Sequence, residues 1–195
     1  MELAIKSEAE AVDKKVAVEE KVKNGAKNKV LQAALLIPHF EDGNYIVGID
    51  IQPGTYRTRK PSLNCYYIRL SGFGGTLNEI IASDITDAPE VVTIADTDKG
   101  FSSKRCGAWT QDLSAITSDQ TTFGDGTFIV GTDIQAGTYK NSGSVNCYYL
   151  RLRGFSGSLD DIISSEITDY SAVVTIDSSD IGFKSKRCGT WTKVK

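Results

Sequence analysis

Asn64 to Thr86 reads NCYYIRLSGFGGTLNEIIASDIT, and Asn146 to Thr168 reads NCYYLRLRGFSGSLDDIISSEIT. The two stretches are one pattern written twice. The likeness extends outward in both directions. Upstream, GNYIVGIDIQPGTYRT from Gly43 matches GTFIVGTDIQAGTYKN from Gly126. Downstream, VVTIADTDKGFSSKRCGAWT from Val91 matches VVTIDSSDIGFKSKRCGTWT from Val173. Gly43 to Gly126 is an offset of 83, whereas Cys65 to Cys147 is 82, so one residue is lost between Tyr139 and Cys147. A self-similarity of this length defines two structural units before any element is assigned.

Within a unit the periodicity is that of strands. From Cys65 to Leu70 side chains alternate, with Tyr66, Ile68 and Leu70 on one face and Cys65, Tyr67 and Arg69 on the other. Pro53-Gly54 and Ala136-Gly137 read as tight turns. Leu77 to Ile81 suits a short helix capped by Thr76 or Gly75. The expected fold is mainly β: two tandem small antiparallel sandwich or barrel modules, each with a short helix, behind an α-helical N-terminal arm. The expected boundaries are 1–38 for the arm, 39–111 for module 1, 112–122 for the linker and 123–195 for module 2.

The arm has a different pattern. Residues 3 to 23 contain neither Gly nor Pro, and Ile5, Ala9, Val12 and Val16 form one thin apolar stripe at helical spacing. Such a helix is marginal alone in water, which points to anchoring or oligomerisation, with a trimer favoured. Val30 to Ile37 (VLQAALLI) follows a basic stretch in the manner of a signal peptide. It is short, starts late and lacks an Ala-x-Ala exit, so no cleaved signal is expected. A membrane span would need about 20 apolar residues.

Four cysteines allow three pairings. Cys65 and Cys106 are 41 apart, as are Cys147 and Cys188, and each pair sits at equivalent places in its module. The repeat therefore selects 65–106 and 147–188. Closing such a loop stabilises by roughly 4 kcal/mol in the chain-entropy model. Free buried thiols and a four-cysteine zinc site are the competing readings, but zinc sites normally use close pairs such as C-x2-C.

Composition argues against several functions. The net charge of −3 supplies no basic field for nucleic acid or an anionic membrane. His39 is the single histidine and has no equivalent in module 2, so a catalytic base is not expected there. Aspartates recur at Asp42/Asp125, Asp50/Asp133, Asp87/Asp169 and Asp98/Asp180. Beside Gly turns they read first as turn caps, and second as cation ligands. No metal site, cofactor or catalytic residue is expected. The candidate ligand or interface residues are Tyr67, Trp109, Tyr149 and Trp191, repeated aromatics that suit sugars or protein partners if exposed. Lys104-Arg105 and Lys186-Arg187, beside the second cysteine of each module, make a small basic spot, to which Arg69 and Arg151 can add; Arg105 and Arg187 are its candidate interface residues.

The string from Gly43 to Tyr56, the Cys65 to Ile81 segment, Val91 to Ile94 and the closing Cys106 to Trp109 resemble a small domain family, as do their second-copy equivalents. That family occurs in secreted or lipid-anchored bacterial proteins and in bacteriophage structural proteins. The resemblance implies an extracellular or virion-exposed β module and supplies no catalytic residues. Disulfides imply an oxidising setting. A virion protein, oxidised on release, meets that condition without a signal peptide. The leading expectation is thus a non-enzymatic capsid decoration (cement) or tail-associated protein, held through the arm to the major capsid or another virion protein. The alternative is a secreted or cell-surface module that binds a host-surface glycan or a protein receptor.

Overall fold

The computed structural model describes residues 37–194. Residues 1–36, with Ile5, Ala9, Val12 and Val16, lie outside the described residues, and so does the expected helical arm they belong to.

Module 1 contains β1 (His39–Phe40), β2 (Gly43–Ile46), β3 (Gly54–Thr58), β4 (Cys65–Leu70), β5 (Ile80–Thr86), β6 (Val91–Ile94), β7 (Gly100–Lys104) and β8 (Trp109–Thr110). They form two four-stranded antiparallel sheets, ordered β1-β8-β3-β6 and β2-β7-β4-β5. Module 2 repeats the set with β9 (Thr122–Phe123), β10 (Gly126–Ile129), β11 (Gly137–Asn141), β12 (Cys147–Leu152), β13 (Ile162–Thr168), β14 (Val173–Ile176), β15 (Gly182–Lys186) and β16 (Trp191–Lys193). Its sheets are β14-β11-β16-β9 and β10-β15-β12-β13.

The core of each module takes residues from both sheets, so the sheets pack face to face as a sandwich. In module 1 these are Phe40, Tyr56, Val92, Ile94 and Trp109 from one sheet and Cys65, Tyr67 and Phe101 from the other. The alternation read from 65–70 is present: Cys65, Tyr67 and Arg69 are buried, and their neighbours half-buried. Cys65–Cys106 and Cys147–Cys188 are disulfide-bonded. Each ties the start of a central strand to the turn that carries the chain into the other sheet.

The expected short helix is a single 3-10 turn, Leu77–Glu79 in module 1 and Leu159–Asp161 in module 2. Ile80 and Ile81, read as helix from sequence, instead open β5. The side chain of Glu79 turns back to accept from the backbone of Gly74 and Thr76. These bonds cap the start of the turn, which ends where Ile80 takes up extended backbone and pairs with Leu70 of β4.

Both modules lie in one compact unit, 39–195. The linker is folded onto them: Ile116 packs against the module 2 core, and its amide donates to Asp133.

Candidate functional site: the seam between the modules

The repeated aromatics are placed as core. Trp109 and Trp191 have no exposed surface, and Tyr67 and Tyr149 are buried. Trp109 stands edge-on to Tyr67 with ring centroids 5.6 Å apart, and Trp191 to Tyr149 at 5.2 Å. Each indole nitrogen donates to a buried serine, Ser103 or Ser185. The expectation that these four residues present a binding surface is therefore corrected. A module of this size must bury its largest rings to hold a core at all. Arg69 and Arg151, read as part of a surface spot, are instead tied to Asp98 and Asp180 at 2.7 Å. Arg105 and Arg187 do stay exposed, each in left-handed backbone at the turn before the cysteine. They do not join the aromatics.

The recurring aspartates act as turn caps. Asp42 accepts from the amides of Cys106 and Gly107, Asp50 from Ile46, Asp87 from Asn64 and Asp169 from Asn146. Among the described residues no group of acids, cysteines and histidine is placed to hold a metal ion.

The densest cluster of charge is one the sequence reading missed: the seam where module 1 docks on module 2. Arg57, on β3, and Asp133, in the turn after β10, form a fully buried bidentate pair with N–O distances of 2.7 and 3.1 Å. Arg57 also donates to the linker carbonyls of Leu113 and Ser114. Lys184, on β15, reaches Asp84 at 2.5 Å and Glu90 at 2.7 Å, both from module 1. Lys186 joins the same Asp84. Thr127 donates its hydroxyl to Glu90 at 2.6 Å. Backbone bonds cross too: Thr127 N to Pro89 O, and Thr93 N to Phe155 O, both at 2.8 Å. Arg69 donates to the carbonyl of Ser156. Gly157 is needed bare, since a Cβ there would lie 2.9 Å from the Cβ of Ala82.

Electrostatics follow from this packing. Burial opposes the charge on Asp84, but Lys184 and Lys186 outweigh it and hold the carboxyl below its ordinary value. Burial likewise opposes the charge on Lys184, and Glu90, Tyr67 and Asp84 outweigh that, raising it. Tyr67 is pushed up, chiefly by burial, then by Glu90. Each of these seam charges lies against a charge of opposite sign. The seam borders an open cleft of about 210 Å³ that touches Tyr67, Glu90, Val91, Tyr148, Leu152 and Phe155. With its acids and ammonium groups engaged with each other, this arrangement works as a weld between domains.

Among the described residues, the face that the weld covers on module 2 has a bare counterpart on module 1. Leu150 and Leu152 are buried, but their equivalents Ile68 and Leu70 are only half-buried. Phe155 is half-buried under module 1, whereas Phe73 is 64% exposed. A shallow groove on that bare face, about 250 Å³, runs along Tyr45, Ile46, Leu70, Phe73 and Phe101.

Comparison with known proteins gives one finding. A family model for an Rv1352-like extracellular domain matches residues 38–110 and, a second time, residues 120–192. No curated protein and no solved structure matches the chain. Among the described residues no helix is long and apolar enough to cross a membrane.

Proposed function

The chain belongs to the Rv1352-like extracellular domain family in two tandem copies, and on that premise we propose that it is a non-enzymatic, secreted or cell-surface module that binds protein. The observation that carries this reading is the bare face of module 1. The same face of the same fold, one repeat later, is used to bind a protein surface. Phe73 and Ile46 remain exposed there at 64 and 43%. Contiguous apolar surface of this kind marks interaction sites on soluble proteins. The family's extracellular description supports this reading over capsid decoration. Of the two ligand classes expected, protein is favoured over glycan, because the aromatics proposed to stack on sugars are inside the core.

The test is saturable binding of the labelled full chain to intact cells of the organism that makes it. Binding that is lost after protease treatment of the cells, and lost in Phe73→Glu, supports the reading. Binding removed only by glycosidases, or equal binding by Phe73→Glu, overturns it.

A further inference from the structure

We infer that the protein partner is a second copy of this chain, with the bare face of module 1 docking onto the corresponding bare face of module 2 of its neighbour. The inference rests on the protein-binding reading above and names its partner.

The seam is heterologous: one face of module 1 meets a different face of module 2. Each module carries both faces, so one of each is left over. Module 1 keeps the face around Phe73. Module 2 keeps the face around Val173, which is 60% exposed where its equivalent Val91 in the seam is 2% exposed. An unclosed heterologous contact repeats from copy to copy.

The leftover faces still match. Arg57–Asp133 becomes Lys140 against Asp50, with the sign of each charge kept, and both residues are exposed. Lys186–Asp84 becomes Lys104 against Glu166, again with signs kept and both exposed. The third pair, Glu90–Lys184, becomes Ala172 and Ser102. Both partners of that third pair change together, so neither is left as an unmatched charge. Backbone bonds need no particular side chain. The Pro89 carbonyl is replaced by that of Ser171, Thr127 N by Asn44 N, and the Phe155 carbonyl by that of Phe73. Gly75 is bare like Gly157, and Ser164 stands where the seam has Ala82. The seam also has the linker, which makes docking intramolecular at an effective concentration on the order of mM. Contact between copies lacks that help, so it forms at high concentration or on a crowded surface.

The experiment is sedimentation velocity on the purified full chain from about 1 μM to about 1 mM, bracketing that effective concentration. The expected result is mass that rises with concentration. Phe73→Glu and Val173→Glu should each remain monomeric, since each destroys one face. Mixed in equal amounts they should form a dimer and nothing larger, because each supplies the face the other lacks. Asp50→Lys and Lys140→Asp should each weaken association at least about tenfold, and the two changes combined in one chain should restore it. A chain monomeric throughout overturns the inference, as do oligomers indifferent to these variants. A monomeric chain whose cell binding still depends on Phe73 would sink the self-partner and leave the protein-binding reading standing.

Discussion

Module 1 and module 2 have the same strands, the same disulfide and the same aromatic core, yet their surfaces have opposite fates. On the β2-β7-β4-β5 sheet of module 1, Asn44 and Phe73 face solvent; on the matching sheet of module 2, Thr127 is buried and Phe155 half-buried. The reverse holds for the other docking face: Arg57, Glu90 and Val91 are buried, and Lys140 and Val173 are exposed. Several of the positions that differ between the copies lie where they meet. Arg57, Glu90 and Lys184 stand where the other copy has Lys140, Ala172 and Ser102. The core tolerates duplication unchanged, because each sandwich must fill the same volume. The docking faces do not, because a buried charge must find its partner or cost several kcal/mol.

Four measurements bear on that comparison. The largest effect is expected where the modules are alike. Replacing Cys65 and Cys106 by serine, or Cys147 and Cys188, should each cost about 4 kcal/mol in denaturant unfolding. Markedly unequal losses would show that the staples are not equivalent.

The same repeat position should then behave differently in the two copies. Arg57→Ala strands Asp133 in a buried site and should cost about 3–5 kcal/mol. Lys140→Ala, at an exposed position, should stay within about 0.5 kcal/mol in dilute solution. Equal costs would mean that the seam is not buried in solution.

Smaller is the effect of giving one docking face the other copy's residues. Lys184→Ser leaves Glu90 without its ammonium partner and should cost about 2 kcal/mol. Adding Glu90→Ala should recover part of that loss, since Asp84 keeps Lys186. A strictly additive double variant would refute the pairing.

The smallest effect is that of pH. Asp84 has a lowered value in the fold, so its contribution is present above its ordinary 3.8 and lost as pH falls through the lowered value. Lys184 has a raised value, so its contribution is full below its ordinary 10.5 and lost only as pH rises through the raised value. Thermal unfolding followed downward from pH 5 should show the seam weakening in acid, and Asp84→Asn should flatten that slope. An unchanged slope in Asp84→Asn would assign the acid loss to other carboxylates.

Much of the fold was legible in the residues. Strand alternation at 65–70, the glycine-marked turns and the repeat itself lead to two β modules, because side-chain period and backbone strain are local properties. Ile80 and Ile81 were misread as helix, since a short apolar run has no period to decide it and the pairing of this segment with β4 is a tertiary event. The candidate site was misread further. Trp109 and Tyr67 carry the side chains of a binding surface and of a core equally well, and only packing separates the two uses. Arg57 gave no signal as a single residue, and Asp133 read as a turn cap and not as half of an ion pair. A signal did exist in the comparison of copies: positions that change between two otherwise matched repeats mark the face each turns to something different.

By itself, then, the sequence determined the number of modules, their β class and which cysteines occupy matching places, because duplication and strand periodicity are written along the chain. Tertiary structure alone decided which aromatics are core and which charges are buried in pairs. It also decided which face of each module is covered and which is left open. Those outcomes depend on what lies across a gap from each side chain, between Arg57 and Asp133 across 76 residues of chain, and no local pattern encodes the far side of a gap.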